Sequence, residues 1–168
     1  MDFALGVLFA LSLAHAGEPP RDGSHVRTTD PRIRAAIAEG IARSTLFAGL
    51  VAQLDASDVI VYAESDCEMT TRLQGRLTFM SAAGGRRYVL VRIACMLGAS
   101  SQVAMLGHEL RHAVEIAEAA SVVDERTLAA EYRRIGFASS VMRAGCGYDS
   151  RAAIETGQRI FGELNRAE

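Results

Sequence analysis

Apolar residues recur along this chain in two rhythms. After Asp30-Pro31, Ile33, Ile37 and Ile41 return every four residues, the spacing of one helix face. Asp followed by Pro also suits a helix start, because Asp accepts from free amides and Pro loses no bond at the first helical position. Ser44 opens a second segment, with Phe47, Leu50, Val51 and Leu54 on one side. The rhythm then changes. Asp58 to Glu64 is a continuous β-branched apolar run, which predicts a buried strand. Leu73 to Ser81 alternates, with Leu73, Leu77 and Phe79 opposite Gln74, Arg76 and Thr78. Ala82-Ala83-Gly84-Gly85 reads as a turn. Arg87 to Cys95 follows, with Val89, Val91, Ile93 and Cys95 on one face, so the two runs predict a hairpin. Helical spacing returns from about Ser101 to Ala120, and again from Asp124 to Ile135, closed by Gly136. Asp149 is placed to cap a last helix that ends near Arg166.

Helices, then strands, then helices define an α+β chain with a small sheet of about three strands, antiparallel or mixed. A length of 168 residues, 49% hydrophobic and 23% charged, fits one domain with a real core. That domain is assigned to residues 30–168, after a polar, flexible lead-in from Gly17 to Thr29. The formal net charge is −2, and the 18 basic residues, all Arg, are scattered. No basic excess exists, which argues against nucleic acid or an anionic membrane as the main partner.

Residues 1–16 read as a signal peptide. An apolar run from Phe3 to Leu13 ends in Ala14-His15-Ala16, an A-x-A cleavage pattern. The run is shorter than the ~20 residues that span a bilayer. The first residues lack Lys or Arg, so an uncleaved anchor or a buried N-terminal helix is the other reading. Cleavage after Ala16 would give an exported, periplasmic or secreted chain with no membrane attachment. An oxidising compartment allows one disulfide among Cys67, Cys95 and Cys146. Cys95 closes a strand pattern and suits buried packing, whereas Cys67 and Cys146 lie in loop-like stretches and are the expected pair. Without a C-x-x-C, a cysteine zinc site or a thioredoxin-type site is disfavoured.

One motif carries chemistry. Residues 108–112 read His108-Glu109-Leu110-Arg111-His112, an H-E-x-x-H inside a predicted helix. Residues four apart lie on one helix face, so both imidazoles can reach one Zn²⁺. Glu109, a step around the helix, can take a proton from a water that the metal acidifies. The helical wheel agrees. Leu106, Leu110, Ala113 and Ala117 fall within about 40° of one another, and His108, His112 and Glu115 lie nearly opposite. This predicts a core face and a separate polar face on a cleft.

Gly107 to Val114, read with the motif, resembles the active-site helix of thermolysin-type zinc metallopeptidases, the gluzincins. The element order resembles the zincin half-domain. The whole chain resembles a group of small exported bacterial proteins that carry this motif. The resemblance implies a zincin-like fold, Zn²⁺ on His108 and His112, Glu109 as catalytic base, and a third ligand from the next helix. Glu131, 19 positions after His112, suits that pattern; Asp149 is the rival, because Asp-Ser-Arg-Ala-Ala resembles the family's acidic-x-x-Ala helices. The metzincin pattern does not fit, since Glu115 and Glu118 stand where it needs Gly and a ligand. The resemblance also implies an edge strand that pairs with a peptide, here Arg87 to Cys95, and an oxyanion donor such as Tyr132 or Tyr148. Glu115 either orients His112 or pairs with Arg111. Arg86, Arg87 and Arg92 read as solvated strand charges or as readers of a substrate carboxylate.

The expected protein is therefore a zinc-dependent hydrolase acting on a peptide or small amide. A non-catalytic zinc module and a metal-free binding module are the alternatives. Substrate and oligomeric state are not legible in the residues.

Overall fold

The computed structural model describes residues 23–69, 73–138 and 147–166. The expected signal segment, residues 1–16, and Cys146 lie outside these residues. The chain is α+β, with five helices, a mixed sheet of four strands and a small two-stranded sheet among the described residues.

Asp30 joins the first helix to the sheet. One carboxylate oxygen accepts from the Arg32 amide at 2.8 Å and so caps α1 (Pro31–Arg43). The other accepts from the Ser65 amide at 2.8 Å and from the Ser65 hydroxyl, on strand β2 (Val59–Asp66). Ser44 ends α1 and starts α2 (Thr45–Asp55), its hydroxyl accepting from the Phe47 amide at 3.0 Å. The chain turns by 112° there. The turn is tight because Gly40 has no side chain: a Cβ would stand 2.7 Å from the Phe47 ring. Ile33, Ala36, Ile37 and Gly40 face inward, which leaves Ile41, expected on the same stripe, 47% exposed.

The main sheet runs in the order β1-β2-β4-β3. β2 is parallel to β1 (Val26–Arg27) and to β4 (Arg86–Ala94), and β3 (Gly75–Ala83) is antiparallel to β4. The expected hairpin is present, turned by Gly84 and Gly85 at φ of 58° and 72°. Two positive φ values define a turn whose twist matches its strands. The sheet has one more strand than the pattern predicts. β1 lies within the expected lead-in, where the His25 carbonyl accepts from Val61 at 2.8 Å. A strand of two residues has no period to read; only its pairing creates it.

Two further expectations are corrected by strand order. β4 is paired on both sides, so Arg87 to Cys95 is not the edge strand; β3 is. The disulfide joins Cys67 to Cys95, not to Cys146. Parallel register sets Asp66 beside Ala94, so the next residues of the two strands stand with Cα atoms 5.0 Å apart, inside disulfide reach.

The helices cover one sheet face. Val59, Val61 and Ala63 of β2 and Val89, Val91 and Ile93 of β4 are buried against them. The central helix is α3 (Ala99–Glu118), with Leu106, Leu110 and Ala113 fully buried as the wheel predicts. Its opposite face is not an open cleft wall, because Glu109, His112 and Glu115 are buried as well. The covering elements are α4 (Glu125–Ile135) and α5 (Arg151–Asn165). Two glycines let α5 approach closely: a Cβ on Gly107 would collide with Ile160, and one on Gly157 would stand 3.3 Å from the His108 Cβ.

Arg87 is neither solvated nor free to bind substrate. It is 5% exposed. Its Nε and Nη2 donate to both Asp58 oxygens, at 2.7 and 2.6 Å. Its Nη1 donates to the Ile116 and Ala119 carbonyls, at 2.6 and 2.7 Å. These carbonyls lie at and just beyond the C-terminal end of α3, where helix geometry leaves acceptors without their i+4 amides; each also accepts one backbone amide, from Ala119 and Val122. Arg92 pairs with Glu64 at 2.7 Å, and Arg86 donates to the Ser57 carbonyl at 3.0 Å. Among the described residues no single helix is long and apolar enough to cross a membrane.

Candidate metal centre

Three side chains from two parts of the chain converge. His108 and His112 stand one turn apart on α3, rings edge-on, with centroids 4.9 Å apart. Asp149 ends the short strand β6 (Tyr148–Asp149), just before α5. Its Oδ1 lies 3.5 Å from His108 Nε2 and 3.5 Å from His112 Nε2. One ligand atom from each of the three lies within 4.8 Å of the others, and this group could hold a metal ion. Donors about 2 Å from a tetrahedral ion lie roughly 3.3 Å apart. Two of the three separations are therefore near the bound geometry, and they are long for hydrogen bonds.

Asp149 reaches the histidines because it is not the cap. Ser150 caps α5, its hydroxyl accepting from the Ala153 amide at 3.0 Å, which corrects the sequence reading of Asp149 and releases its carboxylate. The backbone of Asp149 is seated by β5 (Phe137–Ala138), which pairs with β6. Gly136, where α4 ends, lies so close that a Cβ would collide with the Asp149 carbonyl.

Glu131 is not brought to this group. Its carboxylate is held by the Arg134 guanidinium on its own helix. Neighbouring helix positions point about 100° apart, and on α4 the inward position belongs to Tyr132, which is buried.

Behind His112 lies a closed set of hydrogen bonds. His112 Nδ1 is 2.9 Å from Glu115 Oε2 and 2.8 Å from the Tyr132 hydroxyl. Tyr132 donates to Glu115 Oε2 at 3.2 Å, and Ser150 donates to Glu115 Oε1 at 2.6 Å. A carboxylate only accepts, so Nδ1 carries a proton and donates it to Glu115, while Nε2 faces Asp149. Glu115 thus serves His112 first, with Arg111 farther off at 3.8 Å. His108 is packed against α5 at Gly157. The Tyr132 hydroxyl is engaged behind His112. Tyr148 stacks on Tyr132 at 6.4 Å, and its hydroxyl accepts from Arg133 at 3.3 Å. Engaged behind His112, the Tyr132 hydroxyl is not presented as an oxyanion donor.

Glu109 is buried between α3 and the edge strand, where its carboxylate lies against Gly75. Burial pushes its pKa up to about 7; the Asp149 charge adds to this, and His112 and the Leu77 amide oppose it. Burial, with the charge of His112, lowers His108 to about 4. Burial alone would lower His112 too, but Asp149, Glu115 and Glu109 outweigh it and raise His112 to about 9. Asp149 and Glu115 lie below the ordinary carboxylate range, since the histidines overcome the cost of their burial. Two imidazoles thus face three carboxylates, an excess of negative charge that favours a cation. A polar cleft of about 650 Å³ opens beside Glu115 and Ser150 and is not lined by the three donors.

Ser150 and Gly75 were not singled out by sequence reasoning, and Gly136 was read only as the end of a helix. Ser150 carried one signal: it is as good an N-cap as its neighbour Asp149. The roles of Gly136 and Gly75 depend on approach between distant elements. Compared with known proteins, the chain matches no family model, no curated protein and no solved structure.

Proposed function

We propose that this chain is an exported zinc-dependent hydrolase of zincin type, acting on a peptide or small amide. The observation that carries the reading is the approach of Asp149 to the histidines of the H-E-x-x-H motif, with Glu109 beside them. Two imidazoles and one carboxylate suit zinc, and three protein donors leave a position open. Zinc held there would polarise a carbonyl and make water acidic near neutral pH. His108, His112 and Asp149 would hold it. Glu109 would take the proton from the attacking water and return it to the leaving amine. A carboxyl whose pKa burial raises toward neutrality is matched to both halves of that task.

The edge strand suits an extended substrate. The Gln74 carbonyl accepts from Ala94 at 2.9 Å, so residues 74, 76 and 78 turn their peptide groups toward β4. Gly75 and Leu77 turn theirs outward, toward a chain that could add to the edge.

The test is metal content and peptide hydrolysis of the purified chain beside Glu109→Gln. About one zinc per chain, with hydrolysis lost and zinc kept in the variant, is the expected result. No metal after zinc reconstitution would overturn the reading. The second reading, a non-catalytic zinc module, is favoured by the burial of Glu109, only 3% exposed. It predicts bound zinc, no hydrolysis by either form, and a fall in stability when zinc is removed.

A further inference from the structure

We propose that Ser150 is the positioning residue of the metal centre, setting both the third donor and the carboxylate that orients His112. The inference rests on the metal reading above.

The donors come from α3 and from the β6–α5 junction. No covalent neighbour holds these two pieces in register. A working site needs its groups placed within about 0.5 Å. Ser150 is 2% exposed and touches both pieces. Its amide donates to Asp149 Oδ1 at 2.7 Å, the oxygen that faces both histidines. Its hydroxyl donates to Glu115 Oε1 at 2.6 Å. The other Glu115 oxygen stands 2.9 Å from His112 Nδ1. One residue thereby links the carboxylate in the site to the carboxylate behind it.

The chemistry selects serine for more than its place at a helix start. A hydroxyl has one proton and two lone pairs. At Ser150 the proton goes to Glu115, and a lone pair receives the Ala153 amide. Asp would cap equally well but would set a second negative charge against Glu115. Gly also caps a helix at little cost, yet it would leave Glu115 Oε1 without its donor. Capping alone therefore does not need the hydroxyl proton; the bridge to α3 does.

The test compares the full chain with Ser150→Ala, Ser150→Gly and Ser150→Thr. Zinc affinity is measured by titration into metal-free protein, Co²⁺ visible spectra report the coordination geometry, and far-ultraviolet circular dichroism reports the helices. Ser150→Ala and Ser150→Gly should each weaken zinc binding about ten- to a hundredfold, the usual effect of removing a group that orients a ligand. Both should alter the Co²⁺ bands while helix content holds, and Ser150→Thr should restore wild-type behaviour. Wild-type affinity in Ser150→Gly, with or without a loss in Ser150→Ala, would show that the residue only caps the helix and would overturn the proposal while the metal reading stands. A wild-type chain that binds neither Zn²⁺ nor Co²⁺ would overturn the metal reading, and this proposal with it.

Discussion

Glu109 lies against Gly75, a position of the edge strand that has no side chain. A Cβ there would stand 2.5 Å from Glu109 Oε1 and 2.8 Å from Met105 Sδ. The φ of Gly75 is negative, so alanine fits its backbone and the obstacle is contact alone. Met105 is flexible and can move, whereas Glu109 is buried and has little room to give. Gly75→Ala should therefore displace the carboxylate, lower any hydrolytic kcat at least tenfold and leave zinc binding intact. Overpacking should cost about 1–3 kcal/mol of stability. Steady-state kinetics and a zinc titration on one preparation check this; an unchanged kcat would remove Glu109 placement from the mechanism.

The third donor is decided by two substitutions. Asp149→Ala should lose stoichiometric zinc, because the carboxylate 3.5 Å from each histidine is gone. Glu131→Ala should retain it, since that carboxylate serves Arg134. Metal analysis after dialysis reads both, and the reverse pattern would return the site to the gluzincin arrangement.

Arg87 should be the costliest surface-strand charge to remove. Arg87→Met removes the charged donor from the Ile116 and Ala119 carbonyls at the end of α3, leaving each with one backbone amide, and leaves Asp58 without its partner. Asp58 is partly solvated and can rehydrate, so the loss should come mainly from the helix end, at about 2–3 kcal/mol. Arg92→Met removes an exposed pair with Glu64 and should cost under about 1 kcal/mol. Urea unfolding of the two variants makes the comparison.

Acid should weaken the fold through two carboxylates. The Arg87 guanidinium holds Asp58 below its ordinary value of 3.8, and the Ser65 hydroxyl does the same for Asp30. A carboxyl with a depressed folded pKa stabilises above its unfolded pKa, and that stability is lost as pH falls through the folded value. These contributions should be intact at neutral pH and fall away below about pH 4. The urea midpoint between pH 6 and 3 tests this, and Asp58→Asn should flatten the slope.

The disulfide closes a loop over a separation of 28 residues. Chain entropy gives such a closure about 3.6 kcal/mol. Replacing Cys67 and Cys95 by Ser should lower unfolding stability by that order. Peptide mapping of the native chain should recover the Cys67–Cys95 pair, and a Cys67–Cys146 peptide would contradict the parallel register.

Most elements were legible in local pattern. The Ile33 and Ile37 spacing, the β-branched run after Asp58, the glycines of the hairpin turn and the Leu106 to Ala113 stripe each report neighbours within one or two turns. The same locality placed His108, Glu109 and His112 together, because helix geometry alone sets residues one and four apart. What lay beyond that range was decided by tertiary structure. β4 sits between β2 and β3, so β2 and β3, consecutive in the sequence, are not neighbours in the sheet. That order moved the edge to β3 and put Cys67 beside Cys95. The third donor followed the same logic. On sequence spacing Glu131 and Asp149 were rivals, and the packing of α4 turned Tyr132 inward while Ser150 took the cap. Periodicity records which residues share a face, whereas the partner that a face meets is set by contacts between segments far apart in the chain.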